Sequence, residues 1–202
     1  MKDFVELENE FSDVKGDTLS TIRFFESNKK DIDNLDASYG QNRSFRLTLY
    51  GSYGISLAIS GNTNKALTIL DAFIPTFEKD LESYDDEYVK SPFYESLLWT
   101  YGYTLHDAKR YPDSELVFAK LIKLYPDNTK YKKWLAASKL NRYSTIRQTL
   151  WTACFLLLAI DILFQKSMEQ GLSNAFWITV ALTIITTLSL ELHIYIIKKK
   201  NE

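Results

Sequence analysis

The chain has 202 residues, of which 46% are apolar and 25% charged, and its formal net charge is −2 at pH 7. This composition excludes a disordered polyelectrolyte, and the low content of Gly and Pro (7 and 4 residues) favours an all-α fold over a turn-rich all-β fold. The charge is uneven along the chain, because residues 1–118 carry −9, residues 119–148 carry +7 and the rest are neutral. The single cysteine, Cys154, excludes an intramolecular disulfide and a cysteine-based zinc site.

Residues 1–42 are predicted to form helices. Their spacing also hints at a degenerate copy of the repeat that follows. Gly16, Thr21 and Phe25 are spaced in the same way as three residues further along the chain: Gly61, Ala66 and Leu70.

Residues 43–126 contain two similar units, which start from the pairs Tyr53-Gly54 and Tyr101-Gly102. The first unit continues with Leu57, Gly61, Ala66 and Leu70, and the second with Leu105, Lys109, Tyr111, Ser114, Phe118, Leu121 and Pro126. This pattern resembles the tetratricopeptide repeat (TPR). The resemblance implies stacked helix pairs that hold a peptide or helix of another protein against their first helices.

Small residues explain the repeat pattern physically. Gly54 and Gly102 allow two helices of a pair to approach closely, and Ala66 and Ser114 are the small partners on the second helix. Phe118 fills the space between the helices, and Pro126 ends the second unit.

An insert at residues 75–91 separates the two units. The apolar spacing of Phe73 and Phe77 predicts that the insert lengthens the second helix of the first unit, with a bend near Pro75. Six of the ten residues 78–87 are acidic, which is typical of a solvated face. The pair Ser91-Pro92 predicts the start of the next helix.

The candidate protein-binding groove lies on the first helices of the repeats. It lacks the basic residues with which some TPR proteins hold a carboxylate, so an uncharged, aromatic groove fits better. The candidates are Tyr50, Tyr53, Ile55, Ser96, Thr100 and Tyr103, with packing in the core as the alternative role for the tyrosines.

Residues 127–147 are predicted to form a helix that caps the repeats and carries basic residues towards a membrane. Anionic lipid headgroups are the favoured partner of these residues, and nucleic acid is the disfavoured one. The candidates are Lys132, Lys133, Lys139, Arg142 and Arg147.

Two apolar stretches follow, at residues 148–166 and 173–197, joined by a short loop at 167–172 and followed by a basic tail at 198–202. Because a spanning helix needs about 20 residues, we expect a transmembrane helical hairpin. The alternative is a pair of long core helices in a soluble bundle. Basic residues flank the hairpin at both ends, which predicts an integral membrane protein with both termini cytosolic, in a bacterial inner membrane.

The hairpin contains two sets of polar residues, a row of threonines and three ionisable side chains. Thr179, Thr183 and Thr186 lie on one face of the second span, which predicts helix contacts within the hairpin or between copies of the chain. Asp161, Glu191 and His193 fit hydration near the membrane interfaces better than a proton relay.

The sequence contains no phosphate-binding glycine loop, metalloprotease motif or nucleophile elbow, so we expect a protein that is not an enzyme and binds no cofactor or metal. We expect an adaptor that recruits a protein partner to the cytosolic face of a membrane. The alternative is an oligomeric membrane effector whose hairpin is the active element and whose repeats are the sensor. Replacement of Asp161 would discriminate between these functions.

Overall fold

The computed structural model describes residues 2–36, 38, 40–81, 91–164 and 170–201. For residues 80, 81, 161–164, 170–173, 175, 197, 198, 200 and 201 it describes the backbone alone. Within these residues all regular structure is helical, which confirms the all-α prediction. The helices are α1 (Phe4–Val14), α2 (Thr18–Asn34), α3 (Gly40–Ile59), α4 (Thr63–Leu81), α5 (Pro92–Asp107), α6 (Tyr111–Leu124), α7 (Thr129–Phe164) and α8 (Gln170–Asn201).

The chain divides into two compact units, Met1–Asn128 with α1 to α6 and Thr129–Glu202 with α7 and α8. In the first unit, α1–α2, α3–α4 and α5–α6 form helix pairs, and each pair is joined by a turn of three residues. Helix α3 also contacts α2 and α5, and α4 contacts α5, so the pairs stack side by side. This arrangement is consistent with a helical repeat protein.

The core of the first unit runs between the pairs and is rich in aromatic rings. Phe25 of α2 lies flat against Tyr53 of α3, with ring centroids 4.0 Å apart. The other buried members of this cluster are Leu7, Phe11, Phe24, Ile32, Leu35, Phe45, Leu49, Leu57 and Ala66. Their burial is the main source of stability for this unit.

Local sequence signals set the helix boundaries. Asp3 and Glu6 form a reciprocal capping box at the start of α1. The Ser91 hydroxyl accepts a hydrogen bond from the Tyr94 amide, and Pro92 opens α5, as the sequence predicts. Helix α6 ends at Leu124, just before Pro126.

Helix α4 continues past Pro75 as far as Leu81. Phe73 and Phe77 are both buried, which agrees with the predicted lengthening of this helix. The rest of the insert, residues 82–90, lies outside the described residues.

In the second unit, the segment predicted as a capping helix and the segment predicted as a first span form one uninterrupted helix, α7. Helices α7 and α8 pack against each other. The most buried side chains in the paired region include Cys154 of α7 and Val180, Thr187 and Ile194 of α8. Trp177, Ile178, Leu182, Ile185, Leu188 and Leu192 of α8 are exposed.

Candidate protein-binding groove and membrane helices

The small residues of the repeat lie where two helices of a pair meet. A Cβ atom added to Gly54 would lie 2.5 Å from Leu70 Cδ2, and one added to Gly102 would lie 3.1 Å from Val117 Cγ1. Ala66, Ser114 and Phe118 are fully buried. The Ser114 hydroxyl also donates to the Gly102 carbonyl at 2.9 Å, which links α6 to α5. Pro126 is exposed in the turn after α6.

The three helix pairs share one register. Their turns contain Gly16, Gly61 and Lys109, all with positive φ. Five residues after each turn residue stands a small buried side chain, and nine residues after it a large one. The small set is Thr21, Ala66 and Ser114, and the large set is Phe25, Leu70 and Phe118. The α1–α2 pair therefore repeats the geometry of the other two at these positions.

Polar clusters join neighbouring pairs. Tyr53 of α3 donates to Glu26 of α2 at 2.9 Å, and Lys65 of α4 pairs with the same carboxylate. In the equivalent cluster, Tyr101 of α5 donates to Asp71 of α4 at 2.7 Å, and Arg110 pairs with Asp71 at 2.6 Å.

These clusters shift the pKa values of their members. Hydrogen bonds from Lys65 and Tyr53 hold the pKa of Glu26 below its ordinary value. Burial, together with the hydrogen bond to Asp71, raises the pKa of Tyr101. Both tyrosines therefore serve as neutral hydrogen-bond donors that connect the repeats.

Two of the six groove candidates, Thr100 and Tyr103, line one cavity of about 350 Å³ between α3 and α5. Tyr103 is 45% exposed there, and Ile59, at the end of α3, is 67% exposed. Trp99 lies beside Tyr103, with ring centroids 6.4 Å apart. We call this cavity the α3–α5 groove; its lining residues are Ala58, Ile59, Gly61, Thr63, Trp99, Thr100, Tyr103, Thr104 and Asp107.

The other four candidates lie elsewhere. Tyr53 is 3% exposed and belongs to the core, and Tyr50 lines a different cavity, between α3 and α4. Ile55 is half-buried and Ser96 is exposed, and neither lines the α3–α5 groove.

Sequence reasoning did not single out Ile59, Trp99 or Asp107. Trp99, Tyr103 and Asp107 follow one another at intervals of four residues on α5, so they share a helix face. That spacing was the sequence signal that could have identified Trp99 and Asp107 as neighbours of Tyr103. Among the described residues, no group of three or more His, Cys, Asp or Glu side chains could hold a metal ion.

The basic residues of α7 fall into two groups. Lys132 and Lys133 are exposed, whereas Lys139, Arg142 and Arg147 are half-buried. Arg147 pairs with Glu191 of α8 at 3.5 Å, and Arg142 lies over the Tyr143 ring at 5.1 Å. Arg147, a lipid-headgroup candidate, is thus also a contact between the two helices.

His193 of α8 meets α7 one turn away from that ion pair. Its ring lies edge-on to Tyr143, with centroids 5.0 Å apart. Glu191 and His193 therefore both contact α7 side chains, while the side chain of Asp161 lies outside the described residues.

The threonine face of α8 only partly faces α7. Thr183 is half-buried, whereas Thr179 and Thr186 are exposed, and the neighbouring Thr187 is 1% exposed. The hydroxyls of Thr183 and Thr186 donate to carbonyls one turn back in α8, at 2.9 and 2.8 Å. These donors are satisfied within their own helix and need no partner helix.

Among the described residues, one segment is long and apolar enough to cross a membrane. It is Phe176–Ile196, with 21 residues and a mean hydropathy of 1.6. Only 17% of its apolar window is buried, so it is not enclosed as the core helix of a soluble bundle would be. The first predicted span, residues 148–166, does not meet this criterion of length and hydropathy within the described residues. The side chains of its residues 161–164 and all of residues 165 and 166 lie outside the described residues.

No family model matches this chain, and comparison with curated proteins and with solved structures also finds no match. The likeness to TPR proteins therefore depends on the repeated residues and on the stacked helix pairs.

Proposed function

We propose that this protein is a membrane-anchored, TPR-like adaptor that holds a segment of a protein partner in the α3–α5 groove. The groove itself is the observation that carries the proposal. It presents Ile59, Trp99 and Tyr103 beside the polar side chains of Thr100 and Asp107. Tyr103 is exposed and Trp99 half-buried, and tyrosine and tryptophan next to polar groups are typical of surfaces that bind proteins.

The anchor is proposed to be the hairpin of α7 and α8, with two spans and both termini in the cytosol of a bacterial cell. Phe176–Ile196 supports the second span. The exposed side chains of Trp151, Phe155, Leu156 and Ile160 on α7 support the first, because a continuous apolar surface of this kind is unfavourable in water. Lys139, Arg142 and Arg147, in the turns before the first span, would lie nearest the anionic headgroups, with Lys132 and Lys133 further out along the same helix.

Assembly through the hairpin stays an alternative function. Thr179 and Thr186 are exposed on α8 in a single chain, so contacts between copies through them are compatible with this surface. In that case the hairpin would be the active element, and replacement of Asp161 would abolish activity.

Site-specific photocrosslinking in intact membranes tests the adaptor function. A benzophenone amino acid placed at Tyr103 reports on the groove, and one placed at Leu116, which is 72% exposed on α6, is the matched control. We expect a discrete protein adduct from position 103 and none from position 116. Equal adducts at both positions, or none at position 103, would contradict the proposal.

A further inference from the structure

We propose that the protein segment held in the α3–α5 groove presents a lysine or arginine next to an apolar side chain, and that Asp107 binds its cationic group. Because the site is the groove of the proposed adaptor, this inference rests on that function. It adds the chemistry of the partner, which is a basic and partly apolar segment.

The lining of the α3–α5 groove contains one carboxylate and no basic side chain. The carboxylate belongs to Asp107, which is exposed in the last turn of α5. Its Oδ2 accepts a hydrogen bond from the neutral Thr63 hydroxyl at 3.2 Å. A carboxylate accepts about four hydrogen bonds, so Asp107 keeps its charge and has room for further donors.

The basic residues that follow Asp107 in the chain do not pair with it. Lys109 is exposed and, within the described part of the chain, forms no ion pair with Asp107. Arg110 is paired with two other carboxylates, at 2.6 and 2.8 Å. Burial lowers the pKa of the preceding residue, His106, so its ring is neutral at neutral pH. A cation from outside the chain can therefore pair with Asp107.

Helix ends and long-range charge also favour a cation in the groove. Two helices end at its lining, α3 at Ile59 and α5 at Asp107, and α4 begins there at Thr63. The C-terminal end of a helix carries a partial negative charge, which attracts cations. Residues 1–118 carry a net charge of −9, which also attracts a basic segment over longer distances.

Three clusters in the described repeats show how this fold binds a cation beside a tyrosine. In each cluster a lysine pairs with a carboxylate, its Nζ lies 5.8 Å from the centroid of a tyrosine ring, and that tyrosine donates to the same carboxylate. The clusters are Lys29 with Asp33 and Tyr50, Lys65 with Glu26 and Tyr53, and Lys120 with Glu78 and Tyr94.

Tyr103 and Asp107 place a tyrosine and a carboxylate together again, on one face of α5. They are four residues apart, or about 6 Å along the helix axis. Tyr103 is 45% exposed and Ile59, on the opposite wall, is 67% exposed. A lysine or arginine of the partner could lay its aliphatic stem on Ile59 while its charged group reaches Asp107 and the Tyr103 ring.

Crosslinking from Ile59 in lysed membranes tests this inference, because a benzophenone amino acid at that position leaves Tyr103 and Asp107 in place. The Asp107→Asn variant removes the charge and keeps an acceptor for Thr63. We expect it to lower the yield of the partner adduct by up to about tenfold, since a hydrogen bond to a charged group has that order of effect. Asp107→Lys should abolish the adduct. Asp13→Asn, an exposed position on α1, makes the same change in net charge and should retain the adduct.

Thr63→Val separates the charge of Asp107 from its hydrogen bond, because it removes the donor and leaves the carboxylate. The adduct should persist in this variant, and its loss would show that Asp107 acts through the fold of the turn and overturn the inference. An adduct that Asp107→Asn and Asp107→Lys leave unchanged or increase would also overturn it, while the adaptor function would stand. If no adduct forms from position 59 or position 103 of the otherwise native chain, both the adaptor function and this inference are wrong.

Discussion

The turn residues of the three helix pairs all adopt the left-handed region, with φ of 99° at Gly16, 80° at Gly61 and 62° at Lys109. In two of these turns a backbone hydrogen bond of the Schellman type closes the helix end, from the Asn62 amide to the Leu57 carbonyl and from the Arg110 amide to the Leu105 carbonyl, each at 2.9 Å. Glycine adopts this conformation without steric cost, whereas lysine does not. The third pair therefore holds a strained residue where the first two have glycine.

Replacing Lys109 by glycine should relieve that strain. We expect Lys109→Gly to stabilise α5–α6 by up to about 1 kcal/mol, and Gly61→Ala to destabilise α3–α4 by a similar amount. Amide hydrogen exchange of the buried helix amides in the full chain measures both effects. Slower exchange in α5–α6 is the expected result, and faster exchange in the Lys109→Gly variant would show that the lysine is not strained.

Glu26 links protonation to the stability of the repeat. Its pKa lies below the ordinary value of 4.5 because of hydrogen bonds from Lys65 and Tyr53. A lowered pKa in the folded state means that the stabilisation is complete above the unfolded pKa and is lost as the pH falls through the folded pKa. We therefore expect the contact between α2 and α3 to weaken below pH 4.5.

Carboxyl-detected NMR titration of Glu26 measures this effect. The titration midpoint of Glu26 should lie below 4.5 in the native chain. It should rise in the Lys65→Met variant, which lacks the hydrogen bond from Lys65. A Glu26 midpoint at or above 4.5 in the native chain would contradict the arrangement of this cluster.

At the scale of helices, the glycines differ in how closely a neighbouring helix approaches them. The nearest atom to an added Cβ lies 2.5 Å away at Gly54 and 3.1 Å away at Gly102, while at Gly40 nothing lies within 4 Å. Leu70, the neighbour of Gly54, is fully buried and has little room to move.

Alanine substitutions should follow that order. We expect Gly54→Ala to destabilise α3–α4 by about 1 to 3 kcal/mol through overpacking, less the helix propensity that alanine gains over glycine. Gly102→Ala should be close to neutral, and Gly40→Ala, at the first residue of α3, should change the stability by less than about 0.5 kcal/mol. Hydrogen exchange of the full-length variants gives this ranking, and a Gly54→Ala variant as stable as Gly40→Ala would refute it.

Much of the helix layout could be predicted from the sequence because its signals are local. Ser91-Pro92 marks the start of α5, and the apolar spacing through Phe73 and Phe77 marks the extension of α4. The continuity of α7 across residues 147 and 148 also has a local signal, because residues 127–170 contain no Pro or Gly that would end a helix. The change from basic to apolar residues there alters the surroundings of the helix and not its backbone.

The candidate site was harder to predict, because the same residue type serves two purposes. Tyr53 and Tyr103 look alike in the sequence, yet one is a buried donor to Glu26 and the other is exposed in the α3–α5 groove. The difference depends on the neighbouring helix pair, which lies more than twenty residues away in sequence. Ile59 was missed because an exposed apolar residue at a helix end has no periodic signal.

At the scale of the whole chain, two kinds of surface are combined. The first unit has an apolar, largely aromatic core with polar clusters between its helix pairs. The second unit has long helices with exposed apolar side chains. The near-zero net charge conceals this division, because the acidic and basic segments cancel. The proposed membrane tether would give the apolar surface of the second unit an apolar environment and leave the first unit in water.

The central claim, that the hairpin spans the membrane twice, is most directly tested by cysteine accessibility. In a Cys154→Ser background, Lys132→Cys and Lys199→Cys place single thiols at exposed positions before and after the proposed spans, and Asn174→Cys places one at an exposed position at the start of the second span, beside the proposed loop. With an impermeant maleimide on intact cells, we expect labelling of the Asn174→Cys variant alone, and labelling of the other two variants only after permeabilisation. Labelling of the Lys132→Cys and Asn174→Cys variants from the same side would contradict a hairpin and leave Phe176–Ile196 as a single span.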